Sequence, residues 1–171
     1  IDGEQYDFDR AEFISTEGND RSPTAHIHEP RTTVVHVHRS NTTWWEVFNG
    51  LGFSISDKTV LAGTGPNTLK LPDGTTLEET DGKTFKYYVN GVRVDGVAMK
   101  NIADLDRVLI SYGDETPEEV VATQLPQVTD QACIPSGRCA DRIPADEPPE
   151  ICSNGNECTI LEIRKDERRS A

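Results

Sequence analysis

The chain contains 171 residues with a formal net charge of −13, and 35% of its residues are hydrophobic. This length suits one domain with an appendage. The acidic residues are spread along the chain without a basic stripe and no run of 18 apolar residues occurs, so nucleic acid, anionic membrane surfaces and a membrane span are not expected. In chain order we predict an N-terminal arm at 1–20, a domain at 21–115 and an extension at 116–171.

The predicted N-terminal arm is polar and acidic. Its alternating stretch Tyr6-Asp7-Phe8-Asp9 is typical of a solvated strand face, and a further short strand is predicted around 12–14. The chain begins at Ile1 rather than at Met, as expected of a mature or trimmed product.

The domain begins with all four histidines of the chain, arranged as two H-x-H pairs: His26 with His28, and His36 with His38. Residues i and i+2 of a strand face the same side, so each pair presents two imidazoles together. A turn between the pairs predicts an antiparallel hairpin that pairs His28 with His36. Any register shift of two residues keeps all four rings on one face. Such a patch, roughly 5 by 7 Å, suits one metal ion.

Two interpretations of this patch stay open. The four histidines could be the polar face of an ordinary hairpin whose core face is formed by Ile27, Val35 and Val37. Alternatively they bind a transition-metal ion, with zinc or copper preferred because imidazole suits these metals.

Downstream signals predict a β-rich α+β domain with one short helix. Apolar residues at Trp44, Val47, Phe48 and Leu51 predict a helix over 44–51 after Asn41-Thr42-Thr43. Strands are predicted around 53–56, 69–71, 85–89, 92–94 and 108–112, with a hairpin turn at 90–91. We expect six side chains to be mostly buried: Trp44, Val47, Phe48, Val89, Val108 and Ile110.

Asn41-Thr42-Thr43 is also an N-glycosylation sequon. Asn41 is therefore a candidate glycosylation site, although the predicted helix cap competes for the same residue.

Part of the domain resembles a known family. The stretches Tyr88-Val89-Asn90-Gly91-x-x-Val94 and Leu105-Asp106-x-Val108-x-Ile110 are similar to the last two strands of β-grasp, ubiquitin-like folds. Residues 24–113 resemble, by motif order, exported or membrane-anchored bacterial and archaeal β-grasp domains of poorly defined function. That family carries H-x-H-x-x-x-G-x-I-H-V-E, then a short aromatic helix, then a V-N-G strand.

The correspondence with that family is partial. His26, His28 and His36 match its three histidines, and the helix at 44–48 matches its aromatic helix. His38 stands where the family usually has an acidic residue, the glycine before the second strand is absent, and the helix lacks the family's G-x-F-F. The resemblance implies an exported β-grasp domain without an established catalytic activity.

The extension at 116–171 contains six of the ten prolines, interspersed with acidic residues, which predicts an extended arm. It ends in a candidate strand at 158–163. Its cysteines form two C-x5-C loops, Cys133 with Cys139 and Cys152 with Cys158. This spacing favours two disulfides that stabilise a segment without its own core, and hence an oxidising compartment. A zinc site of four thiolates is the alternative.

Two function classes follow for an extracellular, cell-surface or periplasmic protein. The first is a non-catalytic module that binds a metal ion. The second is a structural protein of the cell exterior, whose terminal arms add strands to copies of itself or to other cell-surface proteins. An enzyme is not expected, because the cysteines are predicted to be oxidised and Glu29 is the only acidic residue next to the histidines.

Overall fold

The computed structural model describes residues 1–16, 18–60, 64–80 and 82–146. Within these ranges the chain forms an α+β fold, as predicted, from small antiparallel sheets and two α-helices. The strands are β1 (Ala25–His26), β2 (His36–Val37), β3 (Ser54–Ser56), β4 (Thr68–Lys70), β5 (Thr76–Glu78), β6 (Thr84–Val89), β7 (Val92–Val94) and β8 (Val108–Gly113), and the helices are α1 (Trp44–Gly50) and α2 (Pro117–Thr123).

The largest ladder is an antiparallel sheet in the order β7-β6-β8. Asn90 and Gly91 connect β6 to β7 with φ angles of 52° and 79°. Two successive positive φ angles define the type I′ turn that matches the twist of a hairpin, and Asn-Gly is its preferred sequence. The predicted hairpin turn is therefore confirmed.

The two faces of this sheet pack against different elements. Tyr87 pairs with Ile110 on the face that joins the main core, whereas Lys86 pairs with Ser111 on the other face. The Tyr88 hydroxyl, on the same side as Lys86, donates to the carbonyl oxygen of Pro117 at the start of α2, 3.3 Å away. The sheet thus lies between α2 and the core.

We predicted one short helix followed by an extended arm, but the extension begins with a second helix, α2. Thr116 caps the helix by accepting from the amide of Glu119, and the Glu119 carboxylate accepts from the amide of Thr116. This capping box, with Pro117 in the first turn, is a helix-start signal. The sequence-based prediction gave more weight to the proline content of the extension than to this helix-start signal.

The N-terminal segment, predicted as a solvated arm, contributes to the core. Phe13 is 0% exposed and stacks on Phe53, with ring centroids 5.7 Å apart. Tyr6 and Phe8 pack beside these two rings. Aromatic side chains bury large areas, so these contacts join the segment to the domain.

Helix α1 packs on the core from the hairpin side. Thr43 is its N-cap, in a capping box with Glu46, and Leu51 is its C-cap. This confirms the predicted helix. Among the six side chains expected to be mostly buried, Val47 is buried and five are only half-buried: Trp44, Phe48, Val89, Val108 and Ile110.

The first C-x5-C loop is closed by a disulfide between Cys133 and Cys139, with Cα atoms 5.4 Å apart. This confirms one of the two predicted bridges. Cys152, Cys158 and the candidate strand at 158–163 lie outside the described residues. Among the residues that the structure describes, no helix is long and apolar enough to cross a membrane.

Candidate metal centre

The histidine pairs lie on a short antiparallel hairpin formed by β1 and β2. His26 pairs with His36, and Ala25 with Val37. This register differs by two residues from the expected pairing of His28 with His36. A shift of two preserves side-chain parity, so the histidines share one face while Ile27 packs into the core on the other.

The four imidazole rings form one cluster on that face. The centroid of the His26 ring lies 4.8 Å from that of His38, 5.6 Å from that of His28 and 6.3 Å from that of His36. The His28 and His36 rings are 4.0 Å apart. The sequence prediction that these four residues lie together therefore agrees with the structure.

Exposure increases across the cluster. His26 and His28 are only 1% and 5% exposed, His36 is half-buried, and His38 is exposed. The buried pair is desolvated, whereas His38 lies where the cluster meets solvent. An ion entering from water would meet His38 first.

Acceptors hold the two buried imidazoles in one tautomer. His26 Nδ1 lies 2.8 Å from Asp20 Oδ1 and 3.2 Å from the carbonyl oxygen of Ser22. His28 Nδ1 lies 2.8 Å from the carbonyl oxygen of Glu29. A carbonyl oxygen can only accept, and a carboxylate does so too, so Nδ1 of each ring donates, and Nε2 carries the lone pair in the neutral form that binds metals. Metal-ligating histidines have this arrangement of carboxylate or carbonyl partners.

The Nε2 atoms of His26 and His38 face each other at a separation that two ligands of one ion could have. His26 Nε2 and His38 Nε2 are 3.3 Å apart. Two nitrogens bound tetrahedrally to one zinc ion at about 2.0–2.1 Å lie about 3.3–3.4 Å apart. His28 Nε2 is buried and has no hydrogen-bond partner in the described part of the chain. A buried lone pair without a donor costs free energy that an ion would recover.

Electrostatics keep the less buried pair neutral. The pKa of His36 is lowered to about 3. The main cause is burial, and the further causes are the charges of the neighbouring His28, His26, His38 and Arg31. Burial also lowers the pKa of His38, with a further contribution from His26 and an opposing one from Asp20. Neutral imidazole is the form that binds metals, so these two rings are ready to coordinate at neutral pH.

The cluster is not a finished coordination sphere. Across residues 1–16, 18–60, 64–80 and 82–146, no three His, Cys, Asp or Glu side chains already surround a common point as ligands. His28 and His36 pack ring against ring, with an interplanar angle of 36°. Binding therefore requires rotation of side chains, most directly the half-buried His36, around the fixed His26.

Sequence reasoning missed Asp20, the carboxylate that contacts the cluster. It had singled out Glu29, whose carbonyl oxygen contacts His28 while the residue itself is exposed. Asp20 precedes His26 by six residues in an irregular loop, where it also accepts from Ser15 Oγ at 3.2 Å. Strand periodicity does not extend into such a loop and gives no signal for this contact.

The glycosylation sequon and the helix cap do not compete after all. Thr43, not Asn41, caps helix α1. Asn41 is exposed with a φ of 62°, and its Oδ1 accepts from Asn101 Nδ2 at 3.4 Å. Glycosylation of Asn41 stays a prediction.

Comparison with known proteins found no matching family model, no similar curated protein and no similar solved structure. The relationship to β-grasp domains thus stays a prediction from motif order.

Proposed function

We propose that this protein is an exported, non-catalytic module that binds one transition-metal ion through His26, His28, His36 and His38. The observation that carries the proposal is the pair of buried imidazoles whose Nδ1 atoms are held by acceptors, so that Nε2 of His28 has no partner and Nε2 of His26 meets another imidazole, that of His38. Satisfied Nδ1 atoms beside a buried, unpartnered Nε2 distinguish this cluster from the polar face of an ordinary hairpin.

The donor set favours zinc or copper(II). All four candidate ligands are imidazoles, which suit these ions, whereas a thiolate or thioether that would select copper(I) is missing from the cluster. The Asp20 carboxylate beside His26 supplies negative charge that offsets the charge of the ion, in a cluster where the buried Arg31 also acts on His36. Zinc is the first ion to test because it has no geometric preference of its own.

A binding role is a better proposal than a catalytic one. A catalytic centre needs an open coordination position and a general base within reach of a substrate. The carboxylate at this cluster, Asp20, accepts from His26 Nδ1 and so serves to orient a ligand. The Cys133–Cys139 disulfide supports export, because such bonds persist in oxidising compartments.

Zinc titration followed by calorimetry tests the proposal. The full chain is expected to bind one zinc ion per molecule at pH 7.5, and His26→Ala and His36→Ala should each abolish stoichiometric binding. Val37→Thr is the matched control, since Val37 lies between two of the histidines but faces the other way. Unchanged binding in both histidine variants, with their folds intact by circular dichroism, would remove the metal proposal.

Assembly by strand addition is the second candidate. Strand β8 is at one edge of its sheet and is six residues long. Asp2 donates from its backbone to the carbonyl oxygen of Tyr112 on this edge. The rest of this edge is a template for a strand from another chain. Light scattering should then show oligomers that Ile110→Pro, which introduces a residue without an N–H on that strand, reduces to monomers.

A further inference from the structure

Four of the five half-buried core side chains share one location. Trp44, Phe48, Val108 and Ile110, which the sequence predicts to be buried, all border a cavity of about 1130 Å³. Ligand pockets usually measure about 300–1,000 Å³ and are lined mainly by apolar and aromatic side chains. The cavity is somewhat larger than this range and partly open to solvent, and its lining is more apolar than polar.

The cavity lies on the core side of the histidine hairpin. Ile27, Val35 and Val37 border it, and their side chains alternate with the imidazoles. His36 and His38 also border it, so the cavity reaches the edge of the metal centre. Its walls are the apolar face of α1, the core face of β8 and the inner face of the hairpin.

One arginine at the cavity makes no ion pair among the described residues. Arg138 Nε is paired with Asp104 Oδ2 at 2.8 Å. Arg107, by contrast, donates from its guanidinium to the carbonyl oxygen of Val128 and contacts no carboxylate in the ranges that the structure describes. In a chain with a net charge of −13, an arginine beside an apolar cavity that lies outside ion-pair distance of the described carboxylates is a place for an anionic group, in addition to the longer-range attraction between Arg107 and Asp130.

We propose that this cavity binds an amphipathic organic carboxylate. Its apolar body packs against Trp44, Phe48 and Ile110, and its carboxylate accepts from the guanidinium of Arg107. The proposal does not depend on a bound metal ion, since Trp44, Phe48, Ile110 and Arg107 lie outside the four-histidine cluster, of which only His36 and His38 border the cavity.

Calorimetric titration of the full chain with decanoate, in the presence of a chelator, tests this proposal. One decanoate is expected to bind per chain, about tenfold more tightly than the uncharged 1-decanol, because only the carboxylate pairs with Arg107. Arg107→Gln should remove that tenfold difference and leave decanol binding unchanged. Arg93→Gln is the matched control, because Arg93 is also exposed but does not border the cavity.

A second variant tests the apolar half of the site. Phe48→Leu keeps an apolar side chain of smaller area, so it should weaken decanoate and decanol equally. His26→Ala should bind decanoate as the unaltered chain does, which separates this proposal from the metal proposal. The inference is overturned if neither amphiphile binds saturably, if the two bind equally in the unaltered chain, or if Arg93→Gln has the same effect as Arg107→Gln. Dissociation of a dimer by decanoate would instead assign the cavity to a second copy of the chain and would also overturn it.

Discussion

The two H-x-H pairs share a sequence pattern but differ in their surroundings. His26 and His28 on the first strand are buried, and each Nδ1 lies 2.8 Å from an oxygen acceptor. His36 and His38 on the second strand are half-buried and exposed, and their pKa values are lowered chiefly by burial. The first pair is thus fixed before an ion arrives, whereas the second pair can adjust. Spacing determines which face a side chain occupies, but surrounding loops determine how firmly it is held.

The largest expected loss of zinc affinity comes from removing a ligand of the fixed pair, such as His26, rather than one of the adjustable pair, such as His38. His26→Ala should weaken zinc binding by more than about 100-fold, because loss of a ligand exceeds the 10–100-fold cost of losing its orienting partner. His38→Ala should weaken it less, because water can replace an exposed ligand. Competition with a fluorescent zinc chelator measures both constants. Equal losses would show that the two pairs do not differ in function.

The next effect concerns the carboxylate that orients His26. Asp20→Asn should weaken zinc binding by about 10–100-fold, since the amide is a poorer acceptor for Nδ1–H and lacks the negative charge. Glu29→Gln is the matched control, because the Glu29 residue is exposed and only its carbonyl oxygen contacts His28. The same competition assay applies. A loss in Glu29→Gln equal to that in Asp20→Asn would point to general loss of negative charge instead.

A third expected effect is on how the free energy of unfolding of the metal-free protein depends on pH. The pKa of His36 is about 3 in the folded chain against an ordinary value of 6.5. Between these values the unfolded chain binds a proton that the folded chain does not, so the free energy of unfolding falls as pH decreases from about 6.5 towards 3. At pH 5 this one group accounts for about 2 kcal/mol.

Urea unfolding at pH 7.5 and 5, with a chelator present, measures this loss. The difference between the two pH values should be smaller in His36→Gln by about 2 kcal/mol. His38→Gln, which changes a more exposed ring, should reduce it less. An unchanged pH dependence in His36→Gln would mean that His36 is not held neutral by its surroundings.

The smallest expected effect is at Asn41. Because Thr43 caps α1, Asn41→Gln should leave thermal stability nearly unchanged while abolishing any glycosylation. Mass spectrometry of the protein secreted from a glycosylating host checks the modification. A large loss of stability would show that the Asn41 contact with Asn101 matters more than its exposure indicates.

The sequence predicted what depends on local pattern. Asn90-Gly91 has a single preferred turn, Val47 follows helical periodicity, and the parity of the histidines survives a two-residue change of register. It did not predict the burial of Phe13 or the contact of Asp20 with His26. Both depend on where an irregular N-terminal segment packs, and the hydrophobic periodicity of a sequence does not indicate the position of such a segment.

Composition also led to wrong structural expectations in two places. The prolines of the extension suggested an extended arm, yet Thr116-Pro117-Glu118-Glu119 begins helix α2. The apolar residues Trp44 and Ile110 suggested a filled core, yet they border a cavity. An apolar side chain that borders a cavity and one that faces a packed core have the same sequence pattern, so only the assembled structure separates them.

The central claim is that the two histidine pairs together hold one ion, and zinc X-ray absorption of the full chain loaded with one equivalent tests it most directly. The account predicts a first shell of three or four nitrogen ligands at about 2.0–2.1 Å, with the multiple-scattering signature of imidazole. Three imidazoles should remain in His38→Ala, with an oxygen in the vacated position. A first shell dominated by oxygen, or a spectrum that is the same in His26→Ala, would contradict the account.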